Sequence, residues 1–236
     1  MGYSGGGRQY EASIFAGEPP VYYRQYGGQP EGLLSPEEKR NILIAIGALT
    51  LALAMAMLGN AARLLTVIQE EPFFAGYIVL VALVSTTTGF FLHEMAHKFV
   101  AQRYGCWAEF RYSQQGLMIA LLLSAFAGFL FAAPGAVYIA GRIDQRQNGI
   151  ISIAGPMTNV AVALALIPVV LTFGGIVGFG FYTVVYFNAF LAIFNMIPIM
   201  PLDGAKVVRW NAGLYLAAAV GMGVLLYFTM FPLRNM

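Results

Sequence analysis

Gly89-Phe90-Phe91-Leu92-His93-Glu94-Met95-Ala96-His97-Lys98 closes a long apolar run and decides how the whole chain is read. On a helix, two histidines four residues apart lie on one face, a turn apart, so both imidazoles reach a single metal ion. H-E-x-x-H on a helix is a zinc-hydrolase pattern, with the histidines as ligands and the glutamate as general base. The chain contains two histidines, and they are these two. A glutamate inside an apolar run is expensive to bury and marks a functional site by default. The competing reading is a pair of satisfied helix histidines beside a stray carboxylate.

The surroundings are those of a membrane protein. Of 236 residues, 59% are hydrophobic and 10% charged, more apolar than one soluble core of that length can hide. Uncharged runs at about 42–58, 73–92, 117–140, 150–173, 175–200 and 211–231 are each near the ~20 residues that cross a bilayer as helix. The fold class expected is an all-α polytopic membrane protein with five to six transmembrane helices. A net charge of +2 spread between apolar runs gives no nucleic-acid footprint, so the basic residues are read as topology determinants. Cys106 is the single cysteine, which excludes an intramolecular disulfide. No cleavable leader is expected, because the first forty residues hold no apolar core segment.

Residues 1–38 read as a flexible tail rich in Gly, Tyr, Gln and Pro, followed by a transmembrane domain over 39–236 with its catalytic core at about 73–210. Ser35-Pro36-Glu37-Glu38 has the form of an N-cap with proline at the first helical position, so a helix is expected to start there. Before the histidines, the hydroxyls of Ser85-Thr86-Thr87-Thr88 are expected to bond back to carbonyls of their own helix; the alternative is that Thr86 and Gly89, at i−7 and i−4 on the face of His93, leave room for water. Near the C-terminal end, Asn195-Met196-Ile197-Pro198-Ile199-Met200-Pro201-Leu202-Asp203-Gly204 holds two prolines that end a helix and are expected to free the carbonyls of Phe194 and Ile197. Asp203 is then delivered into an opening. Of the eleven acidic residues, Glu94 and Asp203 alone fall within apolar segments.

These residues form a chemical set. A catalytic zinc takes three protein ligands and keeps a fourth position open, and His93, His97 and Asp203 meet that count. Cys106 competes as third ligand, but it lies in a basic connection away from the apolar segments. Zinc there polarises water and a peptide carbonyl, while Glu94 takes the water proton and passes it to the leaving amine. Asn159, an amide in an apolar helix, is read as a catalytic group that donates to the oxyanion or holds the substrate backbone. Its alternative role is interhelical hydrogen bonding, worth only about 1 kcal/mol in membranes.

Three motifs in order, His93-Glu94-Met95-Ala96-His97, Gly155-Pro156-Met157-Thr158-Asn159 and the Asn195–Gly204 stretch, resemble the site-2 protease family of intramembrane zinc metalloproteases. The resemblance covers about 85–210. It implies one zinc held by His93, His97 and Asp203, catalysis by Glu94, and cleavage of membrane-protein or transmembrane-peptide substrates within or beside their spans. No appended PDZ or paired CBS module is expected, and an extra apolar run, 117–133, stands where many members carry only a short membrane-associated β segment. The rival reading is a metal-binding transporter or a protease-like chaperone without activity; Glu94, which neither needs, favours the enzyme.

The charges also predict a topology. If every apolar run crossed once from a cytoplasmic N-terminus, Arg142, Arg146, Lys206 and Arg209 would lie outside, against the positive-inside tendency. If 117–140 instead enters as a helix, turns at Pro134-Gly135 and returns as a strand over 136–140, every basic connection becomes cytoplasmic and only Arg63 and Arg234 remain outside. This gives five crossings in the cell membrane, an external C-terminus and a small membrane-associated β segment. The partners expected are the substrate and the lipid bilayer.

Overall fold

The computed structural model of the chain describes residues 33–130, 134–231 and 233. The expected flexible tail lies outside the described residues up to residue 32. Helix α1 (Pro36–Leu58) begins where its signals place it: the Ser35 hydroxyl accepts from Glu38 N–H at 3.1 Å, and Pro36 stands at the first position. It ends at Gly59, whose φ of 102° is the left-handed conformation that glycine adopts without strain. The short helix α2 (Ala61–Glu70) is capped by the Asn60 side chain, and α3 (Pro72–Arg103) comes after it as one 32-residue rod. Inside α3, Thr87–Phe91 form a π-helical turn. Such insertions concentrate at functional sites, because the extra residue rotates the side chains beyond it relative to those before it.

Next come strand β1 (Trp107–Tyr112), helix α4 (Gln114–Ala127), strand β2 (Gly135–Ala140) and the long helix α5 (Gln145–Thr172). Helix α5 opens on a reciprocal cap between Asp144 and Gln147. Helices α6 (Gly175–Asn195), α7 (Gly204–Trp210) and α8 (Ala212–Met230) complete the described chain. Five helices, α1, α3, α5, α6 and α8, are long and apolar enough to cross a membrane. Their outer faces expose Leu51, Leu80, Leu164 and Val224, as a lipid-facing surface requires.

The run 117–140 does not form a sixth span. Helix α4 has 14 residues, short of the ~20 that a crossing needs, and the chain returns as β2, antiparallel to β1 with Phe110 opposite Val137. Phe110 is fully buried and meets the Phe90 ring edge-on at 5.4 Å. It ties the sheet to a core of Ile42, Leu49, Met95 and Leu117 drawn from α1, α3 and α4. The sheet is thus clamped between α1 and the helix that carries His93 and His97.

Charges outside the apolar segments are also withdrawn from water. Lys98, a basic residue read as a topology determinant, is completely buried and paired with Glu38. Among the acidic groups, Glu38 and Glu109 are buried, Glu38 against Lys98 and Glu109 against Arg111 at 2.6 Å. Each is tolerated because a cation pairs with it, and in the case of Glu38 that cation comes from a distant part of the chain, which linear hydropathy does not register. Glu38 also places the end of the segment read as tail inside the helical body.

Candidate active site

Spacing on α3 brings His93 and His97 together, with Nε2 atoms 3.0 Å apart. Asp203 arrives from the turn between α6 and α7, and its Oδ2 lies 3.3 Å from His93 Nε2 and 3.1 Å from His97 Nε2. Tetrahedral ligands at about 2.0–2.2 Å from a zinc ion stand about 3.3 Å from one another, so this triangle has the size of a zinc face. The chemistry of the donors agrees. His97 Nδ1 is 2.7 Å from the Ile151 carbonyl, which only accepts, so Nδ1 carries the proton and Nε2 presents a lone pair. Asn159 Nδ2 donates to the Gly89 carbonyl at 3.0 Å, which turns its Oδ1 towards His93 Nδ1 at 3.2 Å. His93 Nε2 is bare by the same logic. Two lone pairs and a carboxylate oxygen converge on one point, an arrangement that a cation satisfies.

Helix α5 is built to approach this point. A Cβ at Gly155 would sit 2.5 Å from both Nε2 atoms, so only glycine lets the α5 backbone lie against the ligands. Pro156, inside the helix, has no N–H to offer the carbonyl of Ser152, and the neighbouring Ile151 carbonyl is the one that receives His97. The Gly-Pro pair and Asn159 therefore form one surface, fitted to the back of the histidine pair. Asn159 is fully buried, and both ends of its amide are occupied by His93 and Gly89. It touches a ligand and not the cavity.

Asp203 depends on an irregular turn. The two prolines end α6 as expected, but the carbonyls of Phe194 and Ile197 are not free: they accept from Ile197 N–H at 3.2 Å and Ile199 N–H at 2.8 Å. The chain folds into tight turns, and these turns take up the groups that the prolines strand. Gly204 packs against the Met196 carbonyl, where any Cβ would collide, so the residue after Asp203 has to be glycine for the carboxylate to reach the histidines. Lys206 Nζ is 3.6 Å from Oδ1, the oxygen turned away from the histidines.

Glu94 faces a cavity of about 260 Å³ lined by His93, His97, Asp203, β2 and the aromatic face of α6 at Phe187, Phe190 and Phe194. Its Oε2 accepts from Val137 N–H at 3.1 Å. That bond fixes the parity of β2. In an antiparallel ladder, alternate residues turn their N–H and C=O away from the partner strand, so Gly135, Val137 and Ile139 point theirs to the cavity. The opposite edge of the sheet is sealed: Phe110 N–H donates to Glu38 Oε1 at 2.9 Å and Tyr112 N–H to Asn41 Oδ1 at 3.3 Å. One edge is closed by side chains of α1 and the other opens beside Glu94.

Of the residues singled out in sequence, the structure brings together His93, His97, Asp203 and Glu94, with Asn159 behind them. His93, His97 and Asp203 form the metal-ligand cluster found among the described residues. Cys106 does not join it; the thiol packs on Gly141, and burial pushes it up, away from the thiolate form. Gly89 lines the cavity, whereas Thr86 is buried outside it with its hydroxyl unpaired among the described residues. The π turn between Thr86 and His93 breaks the 3.6-residue register on which the alternative for Thr86 rested. Sequence reasoning missed Glu38, Lys98 and the Val137 N–H. The first two carry no motif, and the third is backbone.

A protein of Methanocaldococcus jannaschii named "Putative zinc metalloprotease MJ0611" is 39% identical to this chain over 169 residues, which are 68% of this chain and 84% of that protein. The chain belongs to this family of zinc metalloproteases. A second protein of the same organism, "Zinc metalloprotease MJ0392", is 27% identical over 155 residues, 61% of this metalloprotease and 40% of the relative. "Putative zinc metalloprotease Rip2" of Mycolicibacterium smegmatis is 29% identical over 130 residues, 48% of this chain and 50% of that one. No family model matches the metalloprotease. No solved structure matches it either. The names of these relatives imply zinc, and the donor triangle of His93, His97 and Asp203 fits it.

Proposed function

We propose that this metalloprotease is of the site-2 type and hydrolyses peptide bonds within or beside the transmembrane segments of membrane-protein substrates, with one zinc per chain. The observation that carries the reading is the placement of the donor triangle and Glu94 beside an open strand edge in a bundle whose helices are apolar enough to cross a bilayer. Zinc bound by His93, His97 and Asp203 supplies Lewis acidity towards water and towards the scissile carbonyl. Glu94 accepts the proton from the attacking water and returns it to the leaving amine. Val137 N–H holds the Glu94 carboxylate beside the strand edge, and Asn159 fixes the tautomer of His93. This positioning role for Asn159 replaces a direct hand in the reaction.

A peptide carbonyl inside an intact helix is hydrogen-bonded and shielded, so the substrate has to unwind before it reacts, and the open edge of β2 offers its backbone new partners. Gly135, Ile139 and the Val137 carbonyl have the parity to receive it, Val137 N–H being taken by Glu94, and the sealed edge of β1 does not compete. Regulatory single-pass proteins are the preferred substrate class, with membrane-embedded peptide remnants next. A cytoplasmic N-terminus and an external C-terminus, with α4 and β2 entering and leaving on the cytoplasmic side, place every basic connection inside the cell. Cells expressing wild type or Glu94→Gln, compared by mass spectrometry of membrane peptides, test the reading. Peptide ends inside apolar spans that require the wild type are expected. Cuts confined to soluble loops, or no difference between the two, contradict it.

A further inference from the structure

We propose that Glu38 is a positioning residue of this metalloprotease, setting the depth of the substrate-binding strand edge against the metal ligands and so deciding which peptide bond is presented. The part concerning substrate rests on the function proposed above; the part concerning the sheet stands on the geometry alone. Glu38 lies on the first turn of α1, where a carboxylate is ordinary as a partner of the helix N-terminus. Here it does something else. It is fully buried, Oε2 is paired with Lys98 Nζ, and Oε1 accepts the Phe110 amide of β1.

Each arm of the carboxylate ends on a different part of the site. Lys98 is the residue after His97, so one arm holds the last turns of the ligand-bearing helix. Phe110 stands opposite Val137 in the sheet, and Val137 N–H is the donor to Glu94. The contacts close into a circuit: from α3 at Lys98 to Glu38, across β1 and β2 from Phe110 to Val137, and back to α3 at Glu94. An amide suffices to cap a strand N–H, as Asn41 shows with Tyr112 one turn further along α1. A buried ion pair is a costlier way to cap Phe110, and the return is that sheet and ligand helix are tied to the same two oxygens. A loosened tie lets β2 slide relative to His93 and His97, and with it any backbone paired to Gly135, Val137 and Ile139.

The test compares the full-length, zinc-loaded protein in detergent as wild type, as Glu38→Met with Lys98→Met, and as Glu38→Gln with Lys98→Met. The first pair of changes removes both charges and the cap of Phe110 at similar volume. The second removes the charges and keeps an acceptor for Phe110. In the first variant, amide exchange in 107–112 and 135–140 is expected to quicken by about tenfold or more while α5 and α6 keep their protection. Zinc content should stay at the wild-type value. Product ends should spread over neighbouring bonds of one substrate, and kcat should fall about tenfold or more. The second variant should recover part of the strand protection and sharpen the product ends. Unchanged exchange in both strands overturns the inference, as does faster exchange with the cut at the same bond or loss of zinc with the strands still protected. Should the wild type cleave nothing, the proposed function fails, and the exchange measurement still decides whether Glu38 holds the sheet.

Discussion

Two groups of buried charge sit on neighbouring residues of α3, His97 and Lys98, and they are completed in opposite ways. Lys98 meets a carboxylate from α1, and the charges cancel within the chain. His97 meets His93 and Asp203, and the three donor atoms face one another across 3.0 to 3.3 Å with no cation among the side chains between them. The first group is finished by folding; the second asks for a metal ion. A self-compensated pair can be exchanged for apolar side chains of like volume with little net change, whereas a converging set of donors is costly to keep without its ion. The difference separates a part that locates the site from the part that does its chemistry, although the two meet at adjacent residues in sequence.

The largest expected effect is on Glu94, which belongs to neither group. Glu94→Gln leaves the three donors untouched and removes the proton acceptor, so zinc content should hold while turnover of a membrane substrate falls about 10²–10⁴-fold. Residual turnover near the wild-type rate would end the general-base role. Lys98→Met alone comes next. It strands the Glu38 carboxylate in the interior, and a loss of about 3–5 kcal/mol in stability is expected, against little loss when Glu38→Gln accompanies it. Denaturant or thermal unfolding in detergent reads both; equal losses in the single and double variants would mean that the charges are not a pair. Asn159→Ala has a smaller effect, since it removes the partner that orients His93 and not a ligand. Zinc affinity measured by competition with a chelator should weaken about 10–100-fold. An unchanged affinity would make the amide a packing group.

The histidine spacing and the prolines before Asp203 were legible because each is a local signal with a local consequence, whereas Gly155-Pro156 entered only as a motif of resemblance and its fit against the histidines shows only in the fold. The short helix and strand within 117–140 were legible from the conflict between the span count and the placement of arginines. Glu38 and Lys98 were not, since 60 positions separate them and each resembles an ordinary charge at a helix end. The alternative that put Thr86 on the face of His93 fails because a single π turn resets the helical face, and nothing in Ser85-Thr86-Thr87-Thr88-Gly89 announces that turn. The carbonyls of Phe194 and Ile197 were expected to be free, as a proline removes donors from a straight helix. The chain turned instead, and the turn supplied new donors.

The central claim is that His93, His97 and Asp203 hold one zinc. Metal content per chain of the protein purified in detergent, for wild type, Asp203→Ala and Cys106→Ala, tests it most directly. One zinc in the wild type and the Cys106 variant, with zinc lost from the Asp203 variant, is the expected result. Zinc that survives Asp203→Ala and disappears with Cys106→Ala would contradict the ligand set.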